Sequence, residues 1–241
     1  MKEKLHYTEV GEGFPLVMLH GNGQDHSYFK RQIEPFSAAF RLILPDTRGH
    51  GASPRGEAPF TIVQFAEDLK ALLDELQIEK CHLLGFSDGG NVALQFALKY
   101  PEYIERLVLN GANLNPSGVK REVQMPFEAR WCELKNVSPR QGELFREWEL
   151  LDLMVTQPAL APQDIAGLSL PTLIVAGEDD MIDEAHTRRM AEAIPGSRLV
   201  ILPGDHFVAR RNWQAFNPVV LEFLRGKRCF DPLILGLSQS H

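Results

Sequence analysis

The sequence predicts an α/β protein, a mostly parallel sheet flanked by helices with a helical insertion, on three observations. Short apolar runs ending in Gly, Asp or Asn recur along the chain, as buried strands leaving a sheet do. Segments of helical periodicity separate them, and strand alternating with helix implies right-handed crossovers between parallel strands. Between residues 112 and 167 the alternation stops, and helical spacing continues without a strand.

The six apolar runs, in order, are "PLVMLHG", "RLILPD", "CHLLGFS", "RLVLNGA", "PTLIVAGEDD" and "SRLVILPGDH". Each is short enough for a strand and closes on a residue that favours a turn. Helices are expected over residues 27–39, 62–76, 89–100, 185–194 and 215–225. The insertion carries "EARWCELKNVSPRQGELFREWELLDLMV", and Gly111, Pro116, Gly118, Gly167 and Pro171 bracket it like hinges. The body therefore spans 1–111 and 168–241, with 112–167 as a helical cap. The tail from Gly226, "GKRCFDPLILGLSQSH", does not continue the pattern and reads as an extra docked or disordered segment.

Composition narrows the function classes. A chain of 241 residues with 44% apolar and 24% charged residues is long enough for one sizeable core. Its formal net charge of -7 argues against nucleic acid as a partner, because phosphate neutralisation needs clustered Lys and Arg. Cys81, Cys132 and Cys229 are widely spaced and form neither a disulfide framework nor a zinc knot, so a reducing cytoplasm is the expected setting. The stretch "MKEKLHYTEVGEG" lacks the apolar run of a signal peptide, and no apolar run reaches the ~18 residues of a membrane span. The remaining expectation is a small-molecule substrate, with no membrane and no nucleic acid.

The candidate chemistry begins at "LLGFSDGG". Gly85-Phe86-Ser87-Asp88-Gly89 follows an apolar strand and opens a helix, so Ser87 occupies a sharp strand-to-helix turn. Small residues on both sides permit the close backbone approach that such a turn demands. A serine hydroxyl is protonated at neutral pH and needs an adjacent base before it attacks a carbonyl. Of the eight histidines, His206 in "ILPGDHF" is best placed, just past the last predicted strand where loops gather at the carboxyl edge of the sheet. The acid that orients the base is expected after the preceding strand, where "LIVAGEDDMID" offers Asp179, Asp180 and Asp183. The order Ser, Asp, His differs from the chymotrypsin and subtilisin orders.

Several polar residues near these motifs have a simpler role. His20 and His50 lie beside glycines and read as structural hydrogen-bonding groups, and Asp46 with Arg48 reads as a tie across "DTRGHG". Asp88 reads first as a negative charge at a helix N-terminus. Phe127, Trp131, Trp148, Leu151 and Met154 supply the apolar face of the insertion.

Taken with "HGNG", "DTRGHGAS", "GFSDGG", "AGEDDMI" and "PGDHF", the chain resembles the α/β-hydrolase fold superfamily from Leu5 to about Arg225. The resemblance implies the G-x-x-D turn of Gly177 and Asp180, which selects Asp180 as the acid, with Asp179 its nearest rival. It implies an oxyanion hole from the backbone N–H groups of Asn22 and Asp88. It also raises a second role for Asp88, as an anchor for a substrate ammonium. Because "KLHYTEV" leads directly into "PLVMLHG", the antiparallel strand that often opens this fold is expected to be absent or very short. The expected activity is cleavage of a small carboxylic ester through an acyl-enzyme, with no metal and no cofactor. The same residues are compatible with a carbon-carbon bond hydrolase of the meta-cleavage product type, or with a ligand sensor on the same fold.

Overall fold

A computed structural model describes residues 4–136 and 142–226. Seven strands form one sheet: β1 (Tyr7–Val10), β2 (Pro15–Leu19), β3 (Arg41–Pro45), β4 (Cys81–Phe86), β5 (Ile104–Asn110), β6 (Thr172–Asp179) and β7 (Arg198–Asp205). The order is β1-β3-β2-β4-β5-β6-β7. β2 to β7 pair parallel throughout, and the six apolar runs supply them. β1, only four residues long, pairs antiparallel with β3 in the register Tyr7 to Pro45. The edge strand is therefore present, and it is very short.

The helices are α1 (Lys30–Ser37), α2 (Ile62–Glu75), α3 (Asp88–Lys99), α4 (Arg121–Leu134), α5 (Glu143–Thr156), α6 (Pro162–Ile165), α7 (Glu184–Ala193), α8 (Val208–Arg211) and α9 (Trp213–Leu224). The helix expected from residue 27 starts later, because Asp25 accepts from the Ser27 N–H and sets a 3-10 turn over His26–Phe29 first. Alternate residues along each strand enter different cores. Val17, Leu19, Ile43 and Leu83 join α2, α3 and α7 on one face, while Leu16, Met18, Leu42, Leu44 and Leu84 join α1, α8 and α9 on the other. Both faces are covered, which is why the strands read as nearly continuous apolar runs.

From β2 the chain goes outward to β3 and then returns to β4 on the other side of β2. That reversal leaves a crevice outside the carboxyl ends of β2 and β4, the position where open α/β sheets bind ligands. The loops carrying Asn22 and Ser87 both start there.

Helices α4, α5 and α6 lie between β5 and β6. The start of this stretch is clasped to the loop after β6: the Lys120 N–H donates to Met181 O at 2.8 Å and the Asp183 N–H to Gly118 O at 2.8 Å. Its far end is tied back where the Leu160 N–H donates to Leu114 O at 2.8 Å. Among the described residues no helix is long and apolar enough to cross a membrane. The tail expectation, beyond Gly226, falls outside the described residues.

Candidate active site

The turn after β4 holds Ser87 at φ 53 and ψ -123, one of two positive-φ positions not occupied by glycine among the described residues. An L-residue there is strained by roughly 1–3 kcal/mol, which surrounding structure must offset. The Ser87 N–H donates to Asn110 O at 2.8 Å, and Ser87 O accepts from the Asn91 N–H at 3.0 Å. A Cβ on Gly85 would stand 2.1 Å from Gly89 O, and one on Gly89 would stand 2.2 Å from Leu19 O. Neither position admits a larger residue without moving backbone. Although Ser87 sits at the N-cap of α3, its side chain makes no capping hydrogen bond. The hydroxyl is directed elsewhere.

His206 Nε2 lies 2.9 Å from Ser87 Oγ, and His206 Nδ1 lies 2.6 Å from Asp180 Oδ1. A carboxylate only accepts, so Nδ1 carries the proton and donates to Asp180, leaving Nε2 to accept from the serine hydroxyl. Asp180 is 3% exposed, and Asp180 also accepts from the N–H groups of Ile182 at 3.0 Å and Gly177 at 3.4 Å. Burial works against its charge, but His206 and these N–H donors outweigh it and hold the carboxyl below the ordinary carboxylate range. The His206 ring packs 4.9 Å from Phe86, which itself stacks at 4.2 Å on Tyr28. Gly111, expected as a hinge, has a tighter role: at φ +62, a Cβ there would stand 2.8 Å from His206 Cε1.

The rival carboxylates are accounted for. Asp179 is exposed at the end of β6, and Asp183 caps α7 by accepting from the His186 N–H at 3.1 Å.

The two expected oxyanion donors face the same crevice loops. Asp88 is the first residue of α3, where intrahelical acceptors do not reach. Among the described residues, neither the Asn22 nor the Asp88 backbone N–H donates to a protein acceptor. Their side chains meet: Asn22 Nδ2 donates to Asp88 Oδ2 at 2.8 Å and to Leu150 O on α5 at 3.0 Å. Asn91 Nδ2 reaches Asp88 Oδ1 at 3.3 Å and Asn113 Oδ1 at 3.0 Å. Burial raises the Asp88 carboxyl above its ordinary range despite these donors. Asp88 is thus a member of a side-chain network that the helix-terminus reading did not include. Asn91 and Asn113 carry no sequence signal that would have singled them out.

The other polar residues of these loops make hydrogen bonds of their own. His20 Nδ1 donates to Gly21 O at 2.8 Å while its Nε2 accepts from the Thr47 N–H at 3.0 Å, and burial pushes its pKa down. Burial takes His50 to about 4. Arg48 reaches Asp68 on α2, at 2.6 and 2.7 Å, and also donates to Arg55 O at 3.2 Å. In the insertion, Leu151 is buried while Phe127, Trp131, Trp148 and Met154 are half-buried, and Trp131 Nε1 donates to Asp152 Oδ1 at 2.8 Å. Three side chains of types that can ligate a metal, His6, His26 and Asp46, also meet within 4.8 Å.

The alpha/beta hydrolase fold family matches residues 15–131. A 2-hydroxy-6-oxo-6-phenylhexa-2,4-dienoate hydrolase of Comamonas testosteroni is 38% identical, covering 92% of this chain and 91% of the relative. The serine hydrolase BPHL of Mus musculus is 31% identical, covering 92% and 83%. Among solved structures, the enol-lactonase from Burkholderia xenovorans LB400 superposes with a TM-score of 0.77 at 26% identity, covering 92% of this chain and 96% of that one. The chain belongs to the α/β-hydrolase fold family. The two relatives named are hydrolases, and hydrolysis is the class of reaction they indicate for it.

Proposed function

We propose that the protein is a serine hydrolase that cleaves a small carboxylic ester through an acyl-enzyme. Ser87 Oγ attacks the carbonyl carbon while His206 Nε2 takes the hydroxyl proton, and Asp180 orients the imidazole and stabilises its cationic form. The tetrahedral oxyanion is received by the N–H groups of Asn22 and Asp88, the type of donor pair whose loss costs about 3 kcal/mol of barrier per donor. His206 then returns the proton to the leaving alkoxide, and a water activated by the same imidazole releases the acid. Neither step needs a cofactor. Residues 112–167 act as the cap, with their half-buried aromatic and aliphatic side chains forming the apolar side of the substrate pocket.

The observation that carries this reading is the continuous hydrogen-bonded chain from Ser87 through His206 to Asp180, at 2.9 and 2.6 Å. The experiment is hydrolysis of short-chain to medium-chain p-nitrophenyl esters by the purified protein beside Ser87→Ala. Many turnovers that the substitution abolishes are expected, with chain length reporting the pocket. A folded protein that turns over no ester would overturn the reading.

One observation favours a second substrate class. The 38% identical relative is named as the hydrolase of a dienoate, which suits the carbon-carbon bond hydrolase expected as the alternative. Rapid turnover of such a dienoate with slow turnover of every ester would select it. Tight ligand retention with neither activity would instead indicate a sensor.

A further inference from the structure

Three side chains from three segments, His6, His26 and Asp46, meet at one point. The register of β1 against β3 sets Tyr7 opposite Pro45, which carries His6 to the level of Asp46, whose N–H donates to His6 O at 2.9 Å. The 3-10 turn after β2 delivers His26 to the same point. His6 Nδ1 lies 3.0 Å from Asp46 Oδ2, and His26 Nδ1 lies 2.8 Å from Asp46 Oδ1. All the ligand atoms lie within 4.8 Å of one another.

We propose that His6, His26 and Asp46 form a binding site for one divalent transition-metal ion, with Zn²⁺ the best match to the donor set. Two imidazoles and a carboxylate are a Zn²⁺ ligand combination, and donors about 2.0–2.1 Å from the ion stand about 3.3 Å apart around a tetrahedron. The two imidazole-to-carboxylate separations, 3.0 and 2.8 Å to different Asp46 oxygens, lie within a few tenths of an ångström of that edge, and the whole set, within 4.8 Å, closes around the ion by rotation of the exposed imidazoles. On binding, each imidazole moves its proton from Nδ1 to Nε2 and turns the freed lone pair to the ion. The fourth position goes to water, because His6 and His26 side chains are 43% and 32% exposed while Asp46 is fully buried.

The support behind Asp46 is already built. Its Oδ1 accepts from the His26 N–H at 2.8 Å and its Oδ2 from the Ala52 N–H at 2.9 Å, so two backbone donors keep the carboxylate oriented after the imidazole protons leave. A Cβ on Gly51 would stand 2.3 Å from Asp46 Oδ2, and only glycine leaves the carboxylate its place. The His6 N–H donates to Ser53 Oγ at 2.8 Å, and Ser53 Oγ donates to Asp46 O at 2.6 Å, fixing the backbones of two ligands to each other. Positions 6, 26 and 46 form no metal-ligand spacing in the sequence. Strand register and the 3-10 turn together assemble them, and the site is independent of the catalytic reading.

The test is calorimetric titration of Zn²⁺ into the full chain at pH 7.5 in a non-chelating buffer, with Co²⁺ absorption in the visible as a second readout. One Zn²⁺ per chain is expected, with binding weakened at least roughly tenfold in His6→Ala and in His26→Ala. Ser87→Ala and His206→Ala should bind as the parent does, which separates this site from the Ser87 site. His6→Gln keeps a hydrogen-bond donor for Asp46 and should fold like the parent by circular dichroism, yet lose the ion. Absence of stoichiometric binding in the parent, or equal binding in the His6 and His26 variants, would overturn the proposal and leave a hydrogen-bonded cluster only.

Discussion

Helix α3, behind Ser87, and helix α4, in the stretch between β5 and β6, are twelve and fourteen residues long, but they are built in opposite ways. Eight residues of α3 are buried, whereas in α4 only Gln124 and Leu134 are. α3 is wedged against β2 and β4 so closely that glycine is required at residues 85 and 89. α4 and α5 carry ion pairs to each other and to the body, Arg130 with Glu147 and Arg55 with Glu149, beside the apolar anchor of Leu153 in the core. Met125 and Leu144 leave half their surface to solvent. Steric exclusion sets position on the α3 side to tenths of an ångström, while hydrogen bonds and ion pairs on the other side permit more variation of sequence and shape. That division suits a fold whose nucleophile must be fixed while its substrate varies.

The largest expected effect tests whether the fixed side carries the chemistry. Ser87→Ala should lower kcat by about 10⁴-fold or more while leaving Tm within about 4 °C, because it removes a hydroxyl and no packing. Unchanged ester turnover would sever the link between geometry and activity. Next, Gly89→Ala should cost about 3 kcal/mol or more of stability in a denaturant titration, since the added methyl meets the Leu19 carbonyl. A variant as stable as the parent would mean that the elbow yields far more easily than its contacts imply.

A pH measurement sharpens the same contrast. His82 on β4 packs against Phe14 and Phe40, and burial, aided by the Arg106 charge, takes its pKa down to about 4. The unfolded chain binds the proton near pH 6.5 and the folded chain does not until about 4, so stability falls as pH drops through that window and is level below it. The contribution is at most about 3 kcal/mol. His82→Leu should therefore flatten the Tm against pH profile between 6.5 and 4, and an unaltered profile would show that His82 is not the group responsible.

The smallest effects belong to the polar side. Arg55 donates to both oxygens of Glu149, which is buried, so Arg55→Ala should cost about 1–2 kcal/mol, discounted for the partial exposure of the guanidinium. Arg130 and Glu147 are both 42% exposed, and a double-mutant cycle between them should give a coupling below about 1 kcal/mol that shrinks further in salt. If the exposed pair proved the stronger of the two, burial would not be what ranks these contacts.

Much of this was legible in the chain itself. The six parallel strands are marked by local apolar runs, and the turn at Ser87 by glycines two residues to either side, because a steric requirement at one turn is written within five residues. The choice among Asp179, Asp180 and Asp183 was not written that way. All three lie within five consecutive residues, and they differ in where their side chains end: one exposed, one buried against His206, one capping α7. The role of Gly111 was also hidden, since the ring it accommodates belongs to a residue 95 positions later.

By itself, then, the sequence determined the α/β class, the strand order along the chain and the presence of a serine in a strained turn, all consequences of periodicity and backbone sterics acting over short separations. Tertiary structure alone decided which side chains surround Asp88 and that His6, His26 and Asp46 share one point, while it brings to His206 the carboxylate, Asp180, that the resemblance implies. Those are distances between segments far apart in the chain, and they exist only once the sheet register has brought the segments together.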